Sequence, residues 1–152
     1  MDPITVVTVV GLVAAATKLI KLYGSAATGL GHLHSRHSRA TNSLLSIRSE
    51  YTTIRAAIES IKAWAETDES KAPSRKAQRD SLEEALKALA PSVQIVADDV
   101  EKFLIKSEEM EKSFTTRRKM QYLWNGQEIK SHLDEARWQS SHVHFLVSTL
   151  CL

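Results

Sequence analysis

Three observations on this 152-residue sequence predict an all-α helical bundle of four to five helices. Apolar residues recur at alternating three- and four-residue spacings along three long stretches, the period of helices packed along a seam. Only five Gly and three Pro are present, too few for the many turns of a β-sandwich. The stretch after Asp2-Pro3 is apolar on almost every side, as a helix surrounded by others is. Length fits a single domain, 1–152, able to bury a core without disulfides or metals. Hydrophobic residues at 43% and charged residues at 25% are ordinary for a globular chain and exclude wholesale disorder.

The first helix is expected over 3–23. Asp2 offers its side chain to the free N–H groups of the first turn, and Pro3 at the next position wastes no hydrogen bond. Gly24 is a natural stop. Ile4 to Val10 are all β-branched and favour a strand by propensity. No later segment offers a partner strand, so helix is the reading. Gly24 to Gly31 reads as a loop of small residues.

A second helix is expected over 32–67, with Leu33, His37, Ala40, Leu44, Ile47, Tyr51, Ile54, Ile58, Ile61 and Ala65 on its seam. A polar linker from Glu66 runs into Pro73. The third helix, 74–114, carries Leu82, Leu86, Leu89, Val93, Val96, Val100, Phe103, Ser107, Met110 and Phe114. Pro91 falls inside it and predicts a kink or a break, hence four to five helices; the unbroken pattern favours the kink. The last helix, 126–150, has its seam at Ile129, Leu133, Ala136, Ser140, Val143, Val147 and Leu150. Long antiparallel helices with such narrow stripes suit a bundle.

No catalytic constellation is visible, and the chain reads as a non-enzyme with no cofactor. The Gly-rich phosphate loop is absent, and Gly24, Gly29 and Gly31 do not follow a strand. Glu83-Glu84, Asp98-Asp99 and Glu108-Glu109 are sequence neighbours that point apart on a helix, so they do not converge on one atom. His32, His34 and His37 cluster, and His142 and His144 form a second group of candidate metal ligands. One helix face supplies at most two of the first group, and no cysteine or acid flanks them, so no metal site is expected. Cys151 is the only cysteine and fits a reducing compartment. A signal peptide is not expected, because Asp2 stands where Lys or Arg belongs.

The net charge of +2 does not argue for nucleic acid, and Trp64, Trp124 and Trp138 are not interleaved with basic residues as stacking platforms are. Basic residues do cluster. Arg36, Arg39 and Arg48 lie near the expected start of the second helix; Lys112, Arg117, Arg118 and Lys119 precede the last; Lys18 and Lys21 close the first. Either these form solvated surface, or Arg36, Arg39, Arg117, Arg118 and Lys119 meet anionic lipid head groups, at about 1 kcal/mol for each basic residue.

From Pro3 to Thr17 there is no charge, about 22 Å of helix against about 30 Å of hydrocarbon. That is short for a span, although Lys18 and Lys21 can snorkel. Thr8, Gly11, Ala15 and Lys18 make one narrow stripe; Ile4, Val6, Val7, Val9, Val10, Leu12 and Val13 make the rest broadly apolar. Gly11 and Ala15 are a small-xxx-small pair of the sort that lets helices approach closely in lipid. Two readings stand open: a central buried helix, or one that leaves the bundle for a membrane or a partner's groove.

The opening Met1-Asp2-Pro3-Ile4-Thr5-Val6-Val7-Thr8-Val9-Val10-Gly11-Leu12-Val13-Ala14-Ala15-Ala16-Thr17-Lys18-Leu19 resembles the start of the HeLo-like N-terminal domain of fungal STAND (NLR-like) proteins. Ser49 to Trp64, Ser81-Leu82 through Asp99, Phe103-Leu104, Leu123-Trp124 and Glu128-Ile129 are also similar to that family, so the likeness covers nearly the whole chain. The resemblance implies a helical effector domain at the front of a larger receptor. Such a domain induces regulated cell death, in heterokaryon incompatibility and fungal innate immunity, by membrane targeting of its N-terminal helix after oligomerisation. It further implies self-association or contact with a downstream receptor module, an anionic membrane, and a cytoplasmic protein relocating to the plasma membrane. The chain departs from such receptors in carrying no nucleotide-binding motif. The alternative is a helical adaptor module that binds protein and never touches lipid.

Overall fold

The computed structural model describes residues 2–36, 42–110 and 126–150. These form an all-α bundle of four helices: α1 (Pro3–Arg36), α2 (Asn42–Ala65), α3 (Lys76–Met110) and α4 (Gly126–Leu150), with a short 3-10 turn at Pro73–Arg75. No strand occurs among the described residues.

The largest departure from the sequence expectation is the length of α1. It is a single helix of 34 residues and runs through Gly24 to Gly31 without a break. None of these glycines has a positive φ, so Gly24 is not a stop. They serve close approach instead. A Cβ on Gly29 would stand 2.3 Å from Val100 Cγ1 of α3, so only a hydrogen fits there. Gly24 and Gly31 lie under the guanidinium groups of Arg55 and Arg48 of α2. Leu33 therefore belongs to α1, the second helix begins at Asn42 rather than 32, and Arg36 is the last residue of α1. Lys18 and Lys21 sit in the middle of α1 rather than at its end.

The other seams stand largely as read. Leu44, Ile47, Tyr51, Ile54, Ile58, Ile61 and Ala65 are all buried on α2. Leu82, Leu86, Leu89, Val93, Val96 and Val100 are buried on α3, and Phe103 packs against them. Ile129, Leu133, Ala136, Ser140 and Val143 are buried on α4, with Val147 and Leu150 partly covered. Pro91 lies inside a continuous α3. Its exposed position costs one backbone hydrogen bond, which an otherwise well-packed seam tolerates. His37, Ala40 and Phe114 lie outside the described residues.

Paired contacts give the helix directions. Thr8 meets Arg79, Gly11 meets Glu83 and Gly29 meets Val100, so α1 and α3 run parallel. Gly24 meets Arg55 and Gly31 meets Arg48, so α2 runs antiparallel to both. The same register brings the end of α2, Ala65, to about the level of Ala14 on α1. The first turns of α1 thus project beyond α2. α4 packs mainly on α2 and reaches α1 through Tyr23, whose hydroxyl donates to Gln139 Oε1 at 2.6 Å. Tyr23 also meets Tyr51 edge-on, with ring centroids 5.1 Å apart. Burial pushes both phenols well above the ordinary tyrosine range, with a smaller push from Glu135 on each.

Candidate membrane-facing helix

The start of α1 is built as read from the sequence. Asp2 Oδ1 accepts the Thr5 N–H at 2.8 Å, and Thr5 Oγ1 donates to Asp2 Oδ2 at 2.9 Å. These two bonds hold the Asp2 carboxyl below its usual range. Thr5 is itself buried, and Thr8 Oγ1 donates back to the Thr5 carbonyl at 3.1 Å.

Neither open reading of the apolar stretch holds along its whole length. Leu12, Ala16, Leu19 and Tyr23 are core. Ile4, Val6, Val7 and Val10 are exposed, at 61%, 42%, 70% and 60%. Val9, Val13 and Ala15 are half-buried. Following the helix, Ile4, Val7, Val10, Ala14, Lys18, Lys21, Ser25, Thr28 and His32 form one open face. That face is apolar up to Ala14 and polar from Lys18 onward.

The helix that carries this stretch is longer than expected, and by length and composition alone it is a candidate span. Pro3–Ser35 is long and apolar enough to cross one, with a mean hydropathy of 1.9 over its most apolar window, of which 22% is buried. The figure of about 22 Å counted only the uncharged run, which Lys18 still ends at Thr17. Gly11 is not free for a partner helix. A Cβ there would lie 2.7 Å from the Glu83 carboxylate, so this half of the Gly11/Ala15 pair serves α3.

One residue that matters here carries no motif. Arg79 is completely buried. Its Nε donates to Thr8 Oγ1 at 2.9 Å, and its Nη1 donates to the carbonyls of Ser70 and, at 2.8 Å, Ala72. It therefore ties the first turns of α1 to the chain between α2 and α3. Its Nη2 has no hydrogen-bond partner among the described residues. The one available signal was position: Arg79 falls on the α3 seam three residues before Leu82.

Of the candidate head-group contacts, Arg36 ends α1, and Arg39, Arg117, Arg118 and Lys119 lie outside the described residues. Among the described residues no group of three or more His, Cys, Asp or Glu could hold a metal ion. His142 stacks on Trp138, and His144 Nδ1 lies 2.6 Å from the Ser140 carbonyl. No family model, no curated protein and no solved structure matches this chain.

Proposed function

We propose that this domain is a membrane-acting effector whose first contact with lipid is the exposed apolar face of α1. In line with the resemblance to HeLo-like domains, assembly of several copies then commits more of α1 to the membrane and causes regulated cell death. One observation carries the reading. Ile4, Val6, Val7 and Val10 are β-branched, so they are poor helix formers, and they are largely exposed, so they gain only part of the burial energy of a core side chain. Neither helix propensity nor core packing accounts for them, whereas an apolar surface that receives them does.

Flotation with anionic vesicles tests this. Val7→Asp and Val10→Asp should lose vesicle association while circular dichroism and soluble yield stay unchanged, because both side chains already face water. Gly11→Asp is a poorer probe, since it presses a second carboxylate onto Glu83. Undiminished flotation of Val7→Asp would sink the proposal.

The adaptor reading draws on a different surface. Trp138 and Phe145 are exposed on α4, and His142 lies between them at helical spacing. It predicts saturable binding to a protein that Trp138→Ala weakens, with no flotation by the unaltered chain.

A further inference from the structure

From Pro3 to Arg36, α1 carries no Asp or Glu. Its open face is apolar through Ile4, Val7 and Val10, and the charges that follow on it, Lys18 and Lys21, are both positive. α2 adds to that face from the side. Arg48, Arg55 and Lys62 recur every seven residues, so they share one side of α2. Gly31 and Gly24 bring the Arg48 and Arg55 guanidinium groups close against α1. Continuing the same antiparallel register puts Lys62 at about the level of Thr17, next to Lys18. Arg55 and Lys21 line one surface depression with Ser25, Thr28 and His32 of the open face.

The acids near this depression lie mostly to one side. Asp98 and Glu101 line it from α3, and Glu59 of α2 pairs with Arg55 at 3.4 Å. Nearer the start of α1, Glu83 of α3 is paired with Lys87. Positive charge therefore gathers where α1 meets α2. The far side of α1 differs, since buried Tyr23 meets Gln139 of α4 there.

Hydrocarbon side chains at one end of a helix face and cations at the other match a bilayer interface, which presents acyl chains and anionic head groups together. A soluble polyanion would leave Ile4, Val7 and Val10 uncovered. Length then sets the orientation. Along the helix, Lys21 is about 21 Å from Val7, and Gly24, where Arg55 lies, is about 25 Å from it. The head-group layer is only about 5–8 Å deep on each side, and salt screens charge beyond about 8 Å. A helix standing end-on with Val7 in lipid holds Lys21 and Arg55 out of reach, whereas one lying along the surface engages both ends.

We propose that the domain docks with α1 flat on an anionic membrane, and that Lys18, Lys21 and Arg55, flanked by Arg48 and Lys62, meet the lipid head groups. This rests on the membrane reading above and adds to it an orientation and a set of head-group contacts.

The test is a binding titration of the full chain on phosphatidylcholine vesicles with and without phosphatidylserine. Lys21→Gln with Arg55→Gln should weaken association with the serine-lipid vesicles roughly 25-fold, about fivefold for each cation. Binding to the neutral vesicles should be weak and equal for parent and pair. Thermal stability should barely change, because the one ion pair lost is exposed. Lys130→Gln with Arg137→Gln makes the same charge change on exposed positions of α4 and should weaken association less than about twofold. The orientation is refuted if the Lys21/Arg55 pair binds as the parent does while Val7→Asp does not; that outcome is end-on docking, and the membrane reading survives it. Equal losses from the α4 pair would also refute it, since net charge alone would then govern. If Val7→Asp floats undiminished, the membrane reading fails and this inference with it. Heparin binding that the Lys21/Arg55 pair weakens, with no flotation by the parent, would assign the cations to a soluble polyanion and overturn the proposal.

Discussion

Arg79 occupies a seam position where the heptad pattern asks for an apolar side chain. The seam of α3 was legible from Leu82 onward. The role of Arg79 was not, because its partners are two backbone carbonyls and a hydroxyl that no side-chain pattern announces. A buried guanidinium is costly, and hydrogen bonds from a charged donor offset much of that cost. Arg79→Ala leaves the Ser70 and Ala72 carbonyls without their donor and opens a cavity. A loss of about 2–4 kcal/mol in urea unfolding is expected. Thr8→Val removes one acceptor and should cost less, about 1–3 kcal/mol. The double variant should cost less than the two losses combined, since both act on one bond. Strict additivity would mean that Arg79 does not hold α1 through Thr8.

His132 gives a second prediction at this scale. Burial lowers its pKa, against opposing pulls from Asp99 and Glu128. The folded state therefore binds a proton less readily than the unfolded chain, whose histidine titrates near 6.5. The His132 contribution is complete above that pH and declines as pH falls through and below it. Unfolding midpoints should drop between pH 7.5 and pH 5, and His132→Gln should flatten that dependence (window taken from the ordinary histidine pKa of about 6.5). An unchanged slope in the variant would refute the assignment.

For whole elements, the sequence pattern located α3, α4 and the seam of α2 from Leu44 onward, because each carries one narrow apolar stripe against a polar background, but it began the second helix ten residues early. The extent of α1 was misjudged for a physical reason. Small residues that end a helix and small residues that let two helices touch have the same composition, and only the neighbour tells them apart. Gly29 is the clearest case. In an open helix Gly→Ala gains about 1 kcal/mol. Here the new Cβ would fall 2.3 Å from Val100 Cγ1, and a β-branched side chain cannot swing away cheaply. Overpacking costs about 1–3 kcal/mol, so Gly29→Ala should lower the unfolding midpoint. Adding Val100→Ala should recover part of that loss, although the truncation alone destabilises the core. If Gly29→Ala instead stabilised the protein, the close approach would not limit this site.

On the scale of the whole molecule, the arithmetic of α1 separates two kinds of membrane contact. Burying the exposed parts of Ile4, Val7 and Val10 yields roughly 3–5 kcal/mol, from about 1.5–3 kcal/mol for a fully buried side chain of this size. That is weaker than a single myristoyl anchor, itself only marginal and reversible. Withdrawing α1 from the bundle is a different matter. It uncovers Leu12, Ala16, Leu19, Tyr23, Leu30 and Leu33, all core. The cost is roughly 10 kcal/mol, comparable to the whole stability of a domain. The proposed membrane activity must therefore proceed in two stages, with weak docking by one copy and deep insertion only when several copies share the cost through avidity. For the single chain on anionic vesicles, amide exchange should stay slow from Leu12 to Leu33, and entrapped dye should stay inside. Fusion to a trimeric coiled coil should tighten vesicle association by at least about a hundredfold and start leakage. It should also speed amide exchange in the core helices that α1 leaves behind. Val7→Ala sharpens the test, since it should raise stability by up to about 0.6 kcal/mol through helix propensity while weakening vesicle association. Rapid leakage by the single chain, with α1 exchange already fast, would show that the core does not restrain the helix and would refute the two-stage scheme.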